Sequence, residues 1–265
     1  MKMCSIASGS SGNCIYIGTE ATHLLVDVGI SCKRIVEGLN QLGLKGQDID
    51  GILITHEHAD HINGLGVISR KFGIPIYATP GTINAIKQTG SLGIIEDELF
   101  HEVQADEKMI VKDITVNPMK ISHDAAQPVA YRFQYGSRRM AVVTDLGTYD
   151  DYTVESLKGM DALMLEANHD INMLQVGPYP YYLKQRILGK RGHLSNELSG
   201  KLLSRLMHDN LKAVCLGHLS KENNLAELAY ETVRLEISMS DNPYKPDDFP
   251  IFVANRSELS QMVEI

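Results

Sequence analysis

The stretch ITHEHADHING, residues 54–64, places His56, His58, Asp60 and His61 side by side directly after the apolar run DGILI. Folding alone does not require so many titratable groups at the end of a strand. Metal binding does: imidazole and carboxylate donors without thiolate suit zinc, manganese or iron. A strand end followed by a turn lets alternate side chains converge on one point, and Asp60 at a helix start is also placed to cap it. Glu57 occupies an x position of H-x-H-x-D-H and is not expected to be a ligand.

Three other strand-like runs end in the same residue types. MKISHDAA closes on His123, AVVTDLG on Asp145 and AVCLGHLS on His218. Ligands delivered from several strand ends are what an open metal site on a rigid scaffold needs. Two divalent ions ~3.5–4 Å apart require roughly seven ligands, one of them a hard anionic group shared by both. His56, His58, Asp60, His61, His123, Asp145 and His218 supply that number, and Asp145 suits the shared position.

The elements that position these residues are legible as alternating β-like and amphipathic segments. Strand candidates are NCIYIG, HLLVDVG, DGILIT, IPIYAT, ITVNPMKIS, PVAYRFQY, RRMAVVTD, DALMLEAN, KAVCLGHLS and PIFVANR. Many are rich in Val, Ile and Tyr and bounded by Gly, Pro or Asp. The predicted helices span 31–42, 60–73, 81–89, 179–188, 195–208 and 224–238. In 195–208, Ser195 can cap, and Leu198, Leu202, Leu203 and Leu206 are expected to share one face. The Pro/Asp-rich segment 240–250 reads as a loop before a last strand. No linker stands out, so residues 1–265 are expected to form a single α/β domain, two sheets with helices outside.

The bulk numbers bound the class. The chain has 265 residues, 43% hydrophobic and 22% charged, enough for a large core. Its start has no secretory pattern and no run is long enough to span a membrane, which predicts a cytoplasmic protein. Cys4, Cys14, Cys32 and Cys215 form no C-x-x-C pair, the usage of a reducing compartment. A net charge of −8 and a pI near 5.7 count mildly against a general nucleic-acid binder. They leave room for phosphate at one site, where bound divalent ions would be the largest charges.

THEHADHI, His123, TDLG and GHLS, in this order, resemble the metallo-β-lactamase fold superfamily across nearly the whole chain. The resemblance implies a four-layer αββα sandwich with metals in a cleft at one edge. It also implies His56, His58 and His123 on one ion, Asp60, His61 and His218 on a second, and Asp145 between them. Asp at the shared position points away from true β-lactamases, and His58 away from the oxygen-reducing di-iron branch. A second GHLS, at His193 just before a helix, matches the nuclease-type branch, where such a histidine assists the leaving oxygen or holds the phosphate. The two GHLS roles can be exchanged by motif alone; a strand end favours His218 as the ligand. SIASGSSGNCIYI, VDVGIS, SHDAAQPVAYRF, EANHDINML and LGHLSKENN together resemble the bacterial YycJ (WalJ) family. That resemblance implies 5′→3′ exonuclease action on DNA, with DNA favoured over RNA as the partner.

The expected chemistry is therefore two-metal phosphodiester hydrolysis, with Asp60 and His193 the catalytic residues and zinc or manganese the metal, iron being a further option. A small thioester or ester hydrolase of the glyoxalase II kind is the alternative, and a catalytically silent binding protein is a third. Candidate substrate contacts are Ser11 and Asn13 in GSSGN, Asn168 and His169 in EANHD, and Lys190 with Arg191 leading into His193. Asp27, ending LLVDVG, is a candidate to orient a ligand histidine. Lys33-Arg34 and Arg138-Arg139 are expected to be solvated surface. The tyrosines of PYPYYLK, residues 178–184, are expected in a buried loop, with base stacking the alternative.

Overall fold

The computed structural model describes residues 1–265. A first sheet contains β1 (Lys2–Ala7), β2 (Cys14–Gly18), β3 (His23–Val26), β4 (Gly51–Leu53), β5 (Ile76–Ala78) and β6 (Phe100–Glu102). A second contains β7 (Met109–Val111), β8 (Ile114–Lys120), β9 (Val129–Tyr135), β10 (Arg138–Val143), β11 (Ala162–Glu166), β12 (Ala213–Gly217) and β13 (Ile251–Val253). The chain then returns to the first sheet as β14 (Val263–Glu264), giving the orders β14-β1-β2-β3-β4-β5-β6 and β13-β12-β11-β10-β9-β8-β7.

Both sheets repeat one plan. An antiparallel meander, β14-β1-β2-β3 or β7-β8-β9-β10, continues into parallel strands, β3-β4-β5-β6 or β10-β11-β12-β13. The plan places VDVG after β3 where TDLG follows β10, and both aspartates, Asp27 and Asp145, adopt φ 58°. No sequence repeat announces this correspondence.

Period-two alternation explains the layers. Ile15 and Ile17 of β2 face Met164 and Cys215 of the opposite sheet in a shared inner core. Their neighbours Cys14 and Tyr16 face the other way. There they join residues of α1 (Cys32–Gln41), α3 (Leu65–Phe72) and α4 (Pro80–Gln88), including Ile35, Leu39, Ile68 and Ile83. On the far side, Leu163, Leu165, Val214 and Leu216 pack against α5 (Asp151–Leu157), α8 (Asn196–Leu206) and α9 (Ala226–Met239). The result is the four-layer αββα sandwich. No helix is long and apolar enough to cross a membrane.

Several local expectations change. The predicted helix 60–73 divides into α2 (Ala59–Ile62) and α3 at Asn63–Gly64. Gly64 donates to the Val28 carbonyl, and a Cβ there would lie 2.1 Å from the Ile30 carbonyl oxygen, so the chain presses against the β3 exit. In α8, Ser195 caps the Leu198 amide, but Leu198 itself is exposed and Ser199 takes its place on the buried face. The helices α5 and α6 (Ile171–Val176) and the strands β1, β6, β7 and β14 escape the sequence reading. β1 carries Cys and Ser among its apolar residues, and the other three strands have three residues or fewer.

Candidate metal and catalytic site

The ends of β3, β4, β8, β10, β11 and β12 open on one edge of the sandwich, where ligands bind in many α/β proteins. The loop after β4 brings His56, His58, Asp60 and His61. His123 follows β8, Asp145 follows β10, Glu166 ends β11 and His218 follows β12. Asp27, Asp145 and His218 all have positive φ without being glycine, strained backbone of the kind that clusters at functional sites. Gly29, in VDVG, is required for a steric reason: a Cβ would sit 1.7 Å from the Asp60 carbonyl oxygen.

Two donor sets result. In the first, His58 Nδ1 lies 3.1 Å from His56 Nε2 and 3.2 Å from His123 Nε2. In the second, Asp60 Oδ2 lies 3.6 Å from His61 Nε2 and 3.4 Å from His218 Nε2. Asp145 faces both. Its Oδ1 is 3.5 Å from His123 Nε2, and its Oδ2 is 3.0 Å from His61 Nε2 and 3.7 Å from His218 Nε2. Nitrogen donors on one tetrahedral zinc, with bonds of ~2.0–2.1 Å, are ~3.3–3.4 Å apart, so the spacing fits divalent metal. Asp145 Oδ2 is buried and accepts no hydrogen bond, which leaves it directed at that point.

The outer nitrogens are all committed. His61 Nδ1 donates to Asp27 Oδ2 at 2.7 Å, and His123 Nδ1 to the Gly192 carbonyl at 3.0 Å. His56 Nδ1 donates to Thr55 Oγ1, whose own proton goes to Asp27. His218 Nδ1 donates to Glu166 Oε1 at 2.8 Å. Each bond fixes a tautomer that leaves Nε2 free toward the centre. Asp27→Asn should therefore weaken metal affinity about 10–100-fold without unfolding the chain. Competition with a metal-sensing chelator measures this, and unchanged affinity would show Asp27 to be an ordinary strand-end residue.

Electrostatics point the same way. Burial lowers His56 well below the usual imidazole value and lowers His123. At His218 burial also acts downward, but Asp145, Asp60 and Glu166 outweigh it and hold the ring up to about 10. Burial likewise opposes protonation at His61, where Asp145, Asp27 and Asp60 raise it well above its ordinary value. Burial raises Asp145, yet His218, His61 and His56 bring it far below the carboxylate range. The cluster thus demands positive charge at its centre, which protons on His61 and His218 supply and a divalent ion would supply better.

His193 stands apart from the two sets. Its Nδ1 donates to Glu166 Oε1 at 2.8 Å and lies 3.5 Å from Asp145 Oδ1. Glu166 also accepts the Leu146 and Leu194 amides on Oε2, so its oxygens are engaged in holding His193 and His218. Burial raises that carboxyl, but the two histidines outweigh burial and bring it down to about 2. The open rim consists of His58, Asp60, Asp124 and the partly exposed His193. Beside it is a cavity of about 160 Å³ lined by residues that include Ser10, Asp124, Asn168, Tyr179, Arg186 and His193. Larger clefts lie on the outer faces, but none contains a comparable set of donors.

The other candidates divide. Ser11 is exposed in the turn closed by Gly12 N to Gly9 O. Asn13 is fully buried behind the donors, bonded to the Gly9 amide and the Asp60 carbonyl. Asn168 lines the cavity while its amide holds the His218 carbonyl. His169 is buried, its ring nitrogens have no partner, and burial lowers it to about 4, so it is off the open face. Lys190 is exposed, and Arg191 donates to the His123 carbonyl. Asp60 caps nothing in α2, because its carboxylate turns into the site. Glu57 binds the Ala126 amide, outside both donor sets. The tyrosines of PYPYYLK are not buried as a group: Tyr181 and Tyr182 are 76% and 75% exposed on α7 (Tyr181–Leu188), because the inner face of that helix goes to Leu183 and Ile187.

Sequence reasoning missed Asp124 and Arg186. Asp124 Oδ1 lies 3.5 Å from His123 Nε2 and 4.0 Å from His58 Nε2, and Arg186 grips both its oxygens. The adjacency of Asp124 to His123 was the available signal; nothing local marks Arg186.

The family model described as the beta-lactamase superfamily domain matches residues 22–218. Exodeoxyribonuclease WalJ of Streptococcus pneumoniae serotype 2 (strain D39) is 40% identical over 240 residues, 91% of this chain and 89% of that protein. The chain belongs to the WalJ/YycJ family of the beta-lactamase superfamily. Exodeoxyribonuclease YycJ of Bacillus anthracis, another member, is 40% identical over 236 residues and 86% of each chain. Among solved structures, the metallo-beta-lactamase fold protein YhfI of Bacillus subtilis superposes with TM-score 0.72 over 98% of both chains at 17% identity. Family membership and fold therefore agree with the sandwich and with its cluster of metal-type donors.

Proposed function

We propose that this protein is a dinuclear-metal-dependent exodeoxyribonuclease acting 5′→3′ on DNA, built as one domain over residues 1–265. The observation that carries the reading is Asp145, whose two oxygens face two complete donor sets, with His193 held at their edge. The two WalJ and YycJ relatives, exodeoxyribonucleases by name, support the choice of DNA over a small thioester.

His56, His58 and His123 would hold one ion, Asp60, His61 and His218 the other, and Asp145 both. Two zinc or manganese ions would lower the pKa of water and neutralise charge on the phosphoryl oxygens. Glu166 keeps His193 Nδ1 engaged, so Nε2 is the nitrogen that faces the leaving oxygen and can deliver a proton to it. Asp124 fixes the outer nitrogen of His58, and Asp27 and Thr55 fix His61 and His56. The buried floor excludes bulk water from the ligand nitrogens, while the rim of His58, Asp60 and His193 leaves the reacting phosphate a way in.

End-labelled DNA and RNA with added Mn²⁺ or Zn²⁺, with Asp60→Ala protein beside the wild type, test this directly. Stepwise, metal-dependent loss of 5′ nucleotides from DNA that disappears in the variant is expected. Clear turnover of a thioester without nucleic-acid cleavage would overturn the substrate class and leave the metal site standing.

A further inference from the structure

The segment 171–196 carries Lys184, Arg186, Lys190 and Arg191 but no Asp or Glu, in a chain whose net charge is −8. The same segment exposes Val176 at 86%, Tyr181 at 76% and Tyr182 at 75%. Large apolar side chains held in water beside a concentration of cations mark an interaction surface. Its position is decided by α7. Tyr182 and Arg186 stand one helical turn apart and share a face. Arg186 grips Asp124, which lies 3.5 Å from His123 Nε2. Tyr179, Leu183 and Arg186 line the cavity that also contains His193. An aromatic and cationic track therefore runs from open solvent to the edge of the donor cluster.

We propose that this arm, centred on Tyr179, Tyr181 and Tyr182, is a single-strand platform that holds the unpaired end of a DNA substrate. The proposal rests on the nuclease reading and adds the substrate form: a single-stranded or overhanging end rather than a blunt duplex. Every base has a π-face, so stacking on tyrosine tolerates any sequence, and the basic residues track the backbone. Duplex DNA keeps its bases stacked on one another and offers the tyrosines nothing of the kind. The arm thereby compensates for the acidic surface elsewhere.

Binding and cleavage are measured separately. Fluorescence anisotropy with labelled oligo(dT), in His193→Ala protein loaded with Mn²⁺, compares the parent with the Tyr181→Ala/Tyr182→Ala double variant. Loss of single-strand affinity by roughly 5-fold or more is expected, with a blunt duplex of the same length much less affected. Tyr181→Phe/Tyr182→Phe keeps the π-faces and should restore binding, while Tyr135→Ala, at the far end of β9, serves as the control. In otherwise wild-type enzyme the double alanine variant should lose efficiency on single strands mainly through KM rather than kcat. Unchanged oligo(dT) affinity, or an equal loss on duplex, overturns the platform. Wild-type protein that cleaves no nucleic acid yet shows tyrosine-dependent binding keeps the platform and sinks the nuclease reading instead.

Discussion

Asp145→Asn protein is expected to retain less than two tightly held divalent ions per chain and to lose at least ~10²–10³-fold in DNA turnover. Asparagine keeps the shape of the side chain and tolerates the positive φ found at this position, so the backbone need not move. What disappears is the negative charge whose two oxygens face His123 on one side and His61 and His218 on the other. An amide offers a single oxygen acceptor, and its NH₂ group would be directed at imidazole nitrogens or a cation. Elemental analysis after dialysis, together with single-turnover cleavage, reads both effects. Wild-type metal content with wild-type turnover would show that Asp145 does not join the two sets.

The second large effect is expected at His193. His193→Ala should lower kcat about 10²–10⁴-fold while metal content stays at the wild-type level. Its Nδ1 is occupied by Glu166, and the residue is the partly exposed histidine at the rim, so it suits proton delivery to a departing oxygen. A nitrophenyl phosphodiester separates this role from phosphate positioning. Nitrophenolate leaves without protonation, so the variant should lose far less on that substrate than on DNA. Equal losses on both would assign His193 to holding the phosphate, and no loss on either would remove it from the mechanism.

Much of the site was legible because metal chemistry restricts residue type. Three imidazoles and an aspartate in H-x-H-x-D-H after an apolar strand leave few other uses, and strand-end His123, Asp145 and His218 complete a donor set. The strands that carry them were legible because each must alternate between two buried faces. Residues whose identity is common and whose role depends on a distant partner were not readable in this way. Glu166 could be noted in EANHD, yet only the structure shows one buried carboxylate shared by His193 and His218. Arg186 is one of many surface arginines until Asp124 is seen between it and His123.

The tyrosine arm and GSSGN illustrate the same limit from two sides. Local composition could not say whether α7 would turn its tyrosines inward, because the decision lies with Leu183 and Ile187, which claim the inner face. Asn13 looked available to substrate but is consumed by the Gly9 amide and the Asp60 carbonyl. The sequence by itself determined the metal-type donor set, the sheet-forming runs and the αββα class, since those depend on residue chemistry and short-range periodicity. Only the tertiary structure decided which nitrogen of each histidine faces the centre, that Asp145 spans two sets, and which side of α7 meets solvent. Those outcomes depend on hydrogen bonds and packing between residues as far apart as Asp27 and His61, or Glu166 and His218, separations across which sequence spacing has no geometric meaning.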